Sequence, residues 1–178
     1  MDFKATLQSH GPMLGRIVAS YEADPAQQQE LLQEVSLALW QALPKFRGDG
    51  SLKGYIARVA QNKCITHVSK AAKAPRQTVL DEKLESDVLA PDEHMAREQM
   101  RQNLLAAVRE LPLNLRQVTT LALEGFSHRE IAEALGISEN NAMVRFNRAK
   151  DVLKVSLGRP DRPKQTGMEP RKTGAHNG

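Results

Sequence analysis

Apolar residues recur every three to four positions through two long stretches of the chain, residues 1–73 and 93–158. This spacing places them along one side of an α-helix, and no sustained run alternates apolar with polar residues as a half-buried strand would. Leu, Ala, Gln, Glu and Arg dominate the composition, which also favours helix. The pattern therefore predicts an all-α protein of two small helical domains joined by a flexible linker.

The first stretch is predicted to form three helices, over about residues 3–22, 25–43 and 51–73. Asp24 and Pro25 give a strong start signal for the second helix, because Asp caps a helix N-terminus and proline is tolerated at the first helical position. The segment Pro44–Ser51, with one proline and two glycines, predicts a loop before the third helix.

The second predicted helix has apolar residues on two sides. Leu31 and Leu39 belong to a broad stripe that should face the core, whereas Leu37 and Trp40 lie on the opposite side with Gln33. An exposed Trp beside a Leu is typical of a partner-binding surface, but a helix that is apolar all round can also be central. Both interpretations of Trp40 remain open on the pattern alone.

The second stretch ends in the sequence layout of a helix-turn-helix. Ser127 and Glu130 form a capping box, Gly136 suits the tight turn, and Ser138 caps a longer final helix. Helices before this motif are marked by Met95, Met100, Leu104, Leu105 and Val108, and then by Leu115, Val118, Leu121, Ala122 and Leu123. Such a motif places its second helix in the DNA major groove.

The final helix is predicted to hold one narrow stripe against the core and to turn polar side chains outward. The stripe contains Ala142, Phe146, Ala149 and Leu153, and the outward or flanking residues are Asn140, Met143, Val144, Asn147 and Arg148. Asn pairs bidentately with adenine, and Arg with guanine or phosphate. Plain solvation is the alternative for each polar residue. Arg129, on the shorter helix, is better placed for a phosphate than for a base.

Charge and composition refine this prediction. The chain carries a formal net charge of +4, and the acidic segment 74–100 separates two mildly basic blocks. Residues 74–92 are predicted to be an acidic linker, and residues 159–178 a disordered basic tail. Two nucleic-acid-facing modules are expected to result. The chain has no apolar run of ~18 residues that could span a bilayer and no signal peptide, so a cytoplasmic protein is expected.

The candidate functional residues indicate binding rather than catalysis. Phe46, Tyr55 and His67 are interleaved with basic residues, which suits single-stranded nucleic acid, although an ordinary solvated basic face explains the same residues. The single cysteine, Cys64, is expected to be a half-buried packing residue. Since no nucleophile–base pair, metal-ligand spacing or cofactor motif is evident, the sequence predicts a protein that is not an enzyme.

Together the two blocks resemble the extracytoplasmic-function group of bacterial sigma factors. The stretch LLQEVSLALWQALPKFRGDGSLKGYIARVAQN is similar to their second conserved region, and LPLNLRQVTTLALEGFSHREIAEALGISENNAMVRFNRAK to their fourth. The resemblance implies a protein that joins core RNA polymerase, through its clamp and flap regions, and directs it to promoter DNA. It also implies an anti-sigma factor as a further partner.

The resemblance implies three sets of site residues. The polymerase-binding set is Gln33, Glu34, Leu37 and Trp40. The minus-ten set, which captures a flipped base of the non-template strand, is Ala42, Phe46, Arg47, Tyr55, Val59, Asn62 and Lys63. The minus-thirty-five set is Arg129, Asn140, Asn141, Met143, Val144, Asn147 and Arg148. A basic residue is common in the family where Met143 stands, so the Asn residues and Arg148 are expected to carry more of the specificity.

Two other functions fit parts of the sequence. A stand-alone helix-turn-helix regulator would need only the second block and would have no use for the Trp40 face or the Phe46 loop. A degenerate sigma-like protein would bind polymerase without starting transcription. Direction of promoter recognition and transcription initiation is the function that both blocks together favour.

Overall fold

The computed structural model describes residues 2–73 and 92–158, and its regular secondary structure there is helical. The helices are α1 (Phe3–Ala19), α2 (Pro25–Ala42), α3 (Leu52–Lys73), α4 (Glu93–Arg109), α5 (Leu113–Leu123), α6 (His128–Leu135) and α7 (Glu139–Leu157), and one 3₁₀ turn, Leu43–Lys45, extends α2. The all-α prediction is confirmed. The predicted tail and, apart from Asp92, the predicted linker lie outside the described residues.

Helix starts follow the capping residues that the sequence offers. Asp24 accepts a hydrogen bond from the backbone N–H of Ala26 at 3.1 Å, with Pro25 as the first helical residue of α2. Asp92 does the same for α4, accepting from the N–H of Met95 at 2.9 Å. Each cap satisfies an N–H group that has no partner inside its helix, so neighbouring residues specify where these helices start.

The first block is a three-helix bundle whose buried side chains come from one stripe of each helix. Ile17 of α1, Leu31 and Leu39 of α2, and Ile56 of α3 are buried in it. Cys64 also lies in this core and is fully buried rather than half-buried as the sequence suggested. Burial raises the pKa of its thiol to about 12, because the thiolate would lose its hydration there.

The second block has a smaller core of its own, formed by Leu111, Leu115 and Ala149 with Leu153 packed against it. Three apolar residues that marked its helices in the sequence contribute little to that core, since Met95, Met100 and Leu123 are exposed. None of the described helices is both long enough and apolar enough to cross a membrane.

The two blocks pack against each other, and we call the region where they meet the seam. Helices α5 and α6 lie against α3, so that Val118, Leu121, Phe126 and Ile131 join the core of the first block. Phe126 approaches α3 at Gly54, where an added Cβ would lie 3.9 Å from its ring. One continuous apolar cluster therefore connects two blocks that the sequence pattern presented as separate modules.

Polar contacts also cross the seam. Gln61 of α3 is fully buried, donates from Nε2 to the carbonyl oxygen of Gln117 at 3.0 Å, and accepts a hydrogen bond from Tyr21. The Nε of Arg109 donates to the carbonyl oxygen of Ala19 at 2.8 Å. Burial raises the pKa of the Tyr21 phenol and lowers the pKa of the Arg109 guanidinium, since both charged forms lose water at this position.

Candidate functional site

The outward face of α2 carries two large exposed apolar side chains. Trp40 and Leu37 are 60% and 57% exposed, whereas Leu39, on the opposite side, is 1% exposed. Gln33 and Glu34, about one turn before Leu37 and two turns before Trp40, are also exposed. Burial of Trp40 in the core, one of the two interpretations left open by the sequence, is therefore wrong. A large exposed aromatic beside an exposed Leu is a surface suited to a protein partner.

The loop after α2 is fixed to the start of α3 by one aromatic pair. The rings of Phe46 and Tyr55 lie 5.0 Å apart at 42°, and the Tyr55 hydroxyl donates to the carbonyl oxygen of Ala42 at 2.8 Å. Gly48 and Gly50 both have positive φ, at 83° and 78°, so the chain turns back sharply here. The loop and the first turn of α3 thus present a half-buried aromatic pair, with Arg47 exposed beside it.

The remaining residues of the predicted minus-ten set lie further along α3. Val59 is half-buried one turn after Tyr55, and Asn62 and Lys63 are exposed about two turns after it. At ~1.5 Å of rise per residue, Lys63 lies about 12 Å along the helix axis from Tyr55. The structure therefore joins Ala42, Phe46 and Tyr55 by direct contact and places the other members of the set along the same helix.

The helix-turn-helix has the local geometry that its sequence predicts. The Ser127 hydroxyl accepts from the N–H of Glu130 at 3.1 Å, and the Glu130 carboxylate accepts from the N–H of Ser127 at 2.8 Å. Gly136 has a φ of 67°, the left-handed conformation that ends α6. Ser138 then accepts from the N–H of Asn141 at 3.0 Å and starts α7. The turn between the two helices is thus fixed on both sides.

The predicted reading face of α7 is exposed over most of its length. Asn140, Met143, Asn147 and Arg148 are exposed, while Val144 and Asn141 are half-buried. On the other side, Ala142 and Ala149 are fully buried, and Phe146 and Leu153 are half-buried. Arg129 of α6 is also exposed and lies 3.5 Å from Glu133, one turn along the same helix. A helix held by small buried alanines leaves its polar side free to enter a groove.

Metal chemistry has no candidate site in residues 2–73 and 92–158, where no three His, Cys, Asp or Glu side chains cluster suitably. The candidate functional site consists of three exposed surfaces, which are the outward face of α2, the Phe46 loop with α3, and the outward side of α7.

Comparison with known families identifies the protein family that carries these surfaces. Residues 6–74 match the family Sigma-70 region 2, and residues 101–153 match Sigma-70, region 4. The chain is 27% identical over 155 residues to the RNA polymerase sigma-H factor of Pseudomonas aeruginosa, covering 82% of this chain and 80% of that one. It is 27% identical over 134 residues to the ECF RNA polymerase sigma-E factor of Escherichia coli K12, covering 70% of each. The chain belongs to the extracytoplasmic-function group of sigma factors.

Solved structures agree on the fold of this sigma factor. The sigma factor RpoE of Bartonella quintana, solved with the anti-sigma factor NepR, superposes with a TM-score of 0.66 at 20% identity, covering 90% of this chain and 99% of that one. CnrH, solved with the cytosolic domain of CnrY, superposes with a TM-score of 0.63 at 22% identity, covering 88% and 87%. Both matches cover most of this chain.

Membership of this family establishes what the protein does. As a sigma factor, it binds core RNA polymerase and promoter DNA and directs promoter-specific initiation of transcription. Sigma factors are in general not enzymes. The stand-alone helix-turn-helix regulator, which needs only the second block, does not account for the region 2 match.

Sequence reasoning overlooked Gln61 and the pair Arg16–Glu124. Gln61 follows the buried stripe of α3, which includes Ala57, Ala60 and Cys64, and a glutamine on such a stripe signals a buried polar contact. No comparable signal marks Arg16 and Glu124, which are 108 residues apart and meet only in the tertiary structure.

Proposed function

We propose that this sigma factor docks on polymerase through the outward face of α2 and reads a promoter at two points. Residues 1–73 are the melting and clamp-binding unit, and residues 93–158 are the upstream reader, which also contacts the flap. The exposed pair Leu37 and Trp40 carries the proposal for the clamp, because an exposed apolar surface of this size is costly unless a partner covers it. Gln33 and Glu34 lie on the polymerase side of the same helix.

The minus-ten element is proposed to be opened at the Phe46 loop. Ala42, Phe46 and Tyr55 form its aromatic wall, Val59 and Asn62 line the adjoining turns of α3, and Arg47 and Lys63 hold the phosphates of the extruded strand. Stacking a base on an aromatic ring contributes about 1–3 kcal/mol. That gain offsets the few kcal/mol lost when a base leaves the duplex, so strand separation needs no ATP.

The minus-thirty-five element is proposed to be read by α7 in the major groove. Asn140, Asn147 and Arg148 are exposed on its outer side and carry the donors and acceptors that base edges recognise. Met143 and Val144 make apolar contacts, and Asn141 flanks the helix start. Arg129, on α6, contacts a phosphate, since the first helix of such a motif crosses the backbone.

Three further statements complete the proposal. The protein catalyses no reaction of its own and works in the cytoplasm with polymerase. An anti-sigma factor regulates it, as suggested by the similar structure of RpoE, which was solved with the anti-sigma factor NepR.

Run-off transcription with purified core polymerase tests the proposal. The holoenzyme should start transcripts at defined sites on genomic fragments, and sequencing the 5′ ends should give a shared pair of upstream elements. Core polymerase alone is the control. Specific transcripts that lack any such pair of elements would contradict the two-point reading, and no specific transcripts would contradict initiation.

A further inference from the structure

A cleft of about 460 Å³ lies between α1, the start of α2 and the second half of α4. Small residues of α1 line one side of it, namely Pro12, Gly15 and Ala19, and Leu105 of α4 lines another. A Cβ added at Gly15 would meet no heavy atom within 4 Å, so the space beside this helix is open. Since small-molecule sites are typically clefts of ~300–1,000 Å³, this cleft is large enough for a ligand of nucleotide size.

Three arginine side chains also line this cleft. Arg16 comes from α1, whereas Arg101 and Arg109 come from α4, and none of the described residues that line the cleft is acidic. Arg101 and Arg109 are about two helical turns apart, on the same side of α4. The walls of the cleft therefore present positive charge from two helices that are distant in sequence.

Two of these arginines are held in place by carboxylates. Arg16 donates from Nε and Nη2 to Glu124, at 2.8 and 2.9 Å, and Arg101 donates from the same two nitrogens to Glu98, at 3.2 and 3.0 Å. These pairs cancel part of the charge, but they also orient the two guanidinium planes. In each of the two arginines Nη1 forms no hydrogen bond within the described part of the chain, so it can still donate to a ligand.

Arg109 has no such carboxylate. Its Nε donates to the carbonyl oxygen of Ala19 at 2.8 Å, and among the described residues it forms no ion pair. The side chain is half-buried, and this burial lowers the pKa of the guanidinium; Glu22 opposes that change, and repulsion by Arg101 adds to it. A partly desolvated cation without a paired anion is unfavourable. Of the three arginines, Arg109 would therefore gain most from a bound anion.

We propose that this cleft binds a small molecule that carries two or more phosphate groups. Guanidinium N–H groups match phosphate oxygens in geometry, and three arginines with unused donors can serve more than one such group. The apolar side, with Leu105 and Pro12, suits an uncharged part such as a nucleoside. The cleft shares no residue with the polymerase-binding and promoter-reading sets, so the inference goes beyond the proposed function and does not rest on it. Such a site lets a phosphate-bearing metabolite bind this sigma factor directly.

Isothermal titration of the full chain with inorganic triphosphate tests the site, at low ionic strength so that salt does not screen the charges. We expect one binding site per chain and a higher melting temperature in the presence of triphosphate. Inorganic phosphate should bind about tenfold more weakly or worse, because a single group cannot engage all three arginines. ATP distinguishes two sources of the phosphates. Equal affinity for ATP and triphosphate means that the phosphate chain alone is recognised, and tighter binding of ATP means that the nucleoside occupies the apolar side.

Substitutions locate the binding. Arg109→Gln should weaken triphosphate binding about tenfold or more, because charged hydrogen bonds are lost. Arg97→Gln is the matched control, since it makes the same change in charge on the same helix at an exposed residue that does not line the cleft. Its affinity should stay within about twofold of wild type. Gly15→Leu keeps every arginine and fills the open space, so it should block binding while helicity is unchanged. That variant also keeps the test decisive if Arg109→Gln does not fold.

Several results would overturn the proposal. One is that triphosphate does not bind the wild type, or binds no more tightly than inorganic phosphate. Equal weakening by Arg97→Gln and Arg109→Gln would mean a general attraction to a basic protein. If Arg148→Gln weakens binding as much as Arg109→Gln, the anion lies on the outward side of α7 and not in the cleft. Full binding by a folded Gly15→Leu would also exclude the cleft.

Discussion

The rings of Phe46 and Tyr55 pack 5.0 Å apart, and this contact joins the loop after α2 to the first turn of α3. The hydrogen bond from Tyr55 to the carbonyl oxygen of Ala42 ties the same ring to the end of α2. The loop that is proposed to capture a base is therefore held on both sides by one tyrosine. Such support keeps a binding loop close to its bound conformation and lowers the entropy lost on binding.

Substitutions at Tyr55 and Phe46 should distinguish a residue that supports the loop from one that stacks on a base. Tyr55→Phe removes only the hydrogen bond to Ala42, so we expect a loss of about 0.5–1.5 kcal/mol in the free energy of unfolding and a small loss in promoter opening. Phe46→Ala removes a ring that should stack on a base, so promoter opening, measured by permanganate reactivity of unpaired thymines, should fall strongly. A template with a pre-melted minus-ten region should rescue Phe46→Ala. Failure of that rescue would mean that Phe46 acts elsewhere than in melting.

Trp40 and Leu39 are adjacent on α2 but differ in exposure, which makes them a matched pair. Gln33→Ala with Trp40→Ala should weaken binding to core polymerase while helicity and the melting temperature stay unchanged, because both side chains are exposed. Leu39→Ala should instead lower the free energy of unfolding by about 2–5 kcal/mol, since it leaves a cavity in the core. Circular dichroism and a fluorescence binding assay measure the two effects. An equal loss of fold and binding in the double variant would contradict a direct role of these two side chains in polymerase binding.

Arg148 is expected to read a base of the minus-thirty-five element. Arg148→Ala should lose about 1–3 kcal/mol of binding to the wild-type element and much less to a scrambled one. Arg129→Ala is the comparison, because a phosphate contact weakens binding to all sequences alike and lowers its salt dependence. Anisotropy titrations at several salt concentrations distinguish the two. Equal losses on both elements for Arg148→Ala would make it a phosphate contact as well.

The buried thiol of Cys64 predicts a loss of stability in alkali. Its pKa rises from 9.0 to about 12 on folding, so above pH 9 the unfolded chain loses the proton while the folded chain keeps it. The free energy of unfolding should thus fall as the pH rises from 9 towards 12, by at most about 1.4 kcal/mol per pH unit from this group. Urea unfolding of wild type and Cys64→Ala at pH 8, 9 and 10 measures it. A parallel decline in both proteins would assign the effect to other groups, such as Tyr21.

Local features of this protein could be predicted because they depend on neighbouring residues. Asp24 and Pro25 start α2, and Ser127, Gly136 and Ser138 set the helix-turn-helix, through hydrogen bonds and backbone conformations that span a few positions. The exposed polar face of α7 followed from helical spacing in the same way.

Whether an individual apolar residue is buried was harder to predict from helical spacing. Trp40 could have been buried or exposed, and Met95 and Met100 look as apolar as Val108 in sequence, although only Val108 is buried. Spacing assigns a residue to a side of its helix, but whether another helix covers that side depends on how the helices pack.

By itself, then, the sequence determined the helices of the described residues, the caps at Asp24, Ser127 and Ser138, and the helix-turn-helix, because each depends on interactions within one helix or turn. Only the tertiary structure decided that the two blocks share a seam. Arg16 meets Glu124 and Gln61 meets Gln117 across 108 and 56 residues. Such pairings leave no periodic signal in the chain, since they arise from the packing of whole helices.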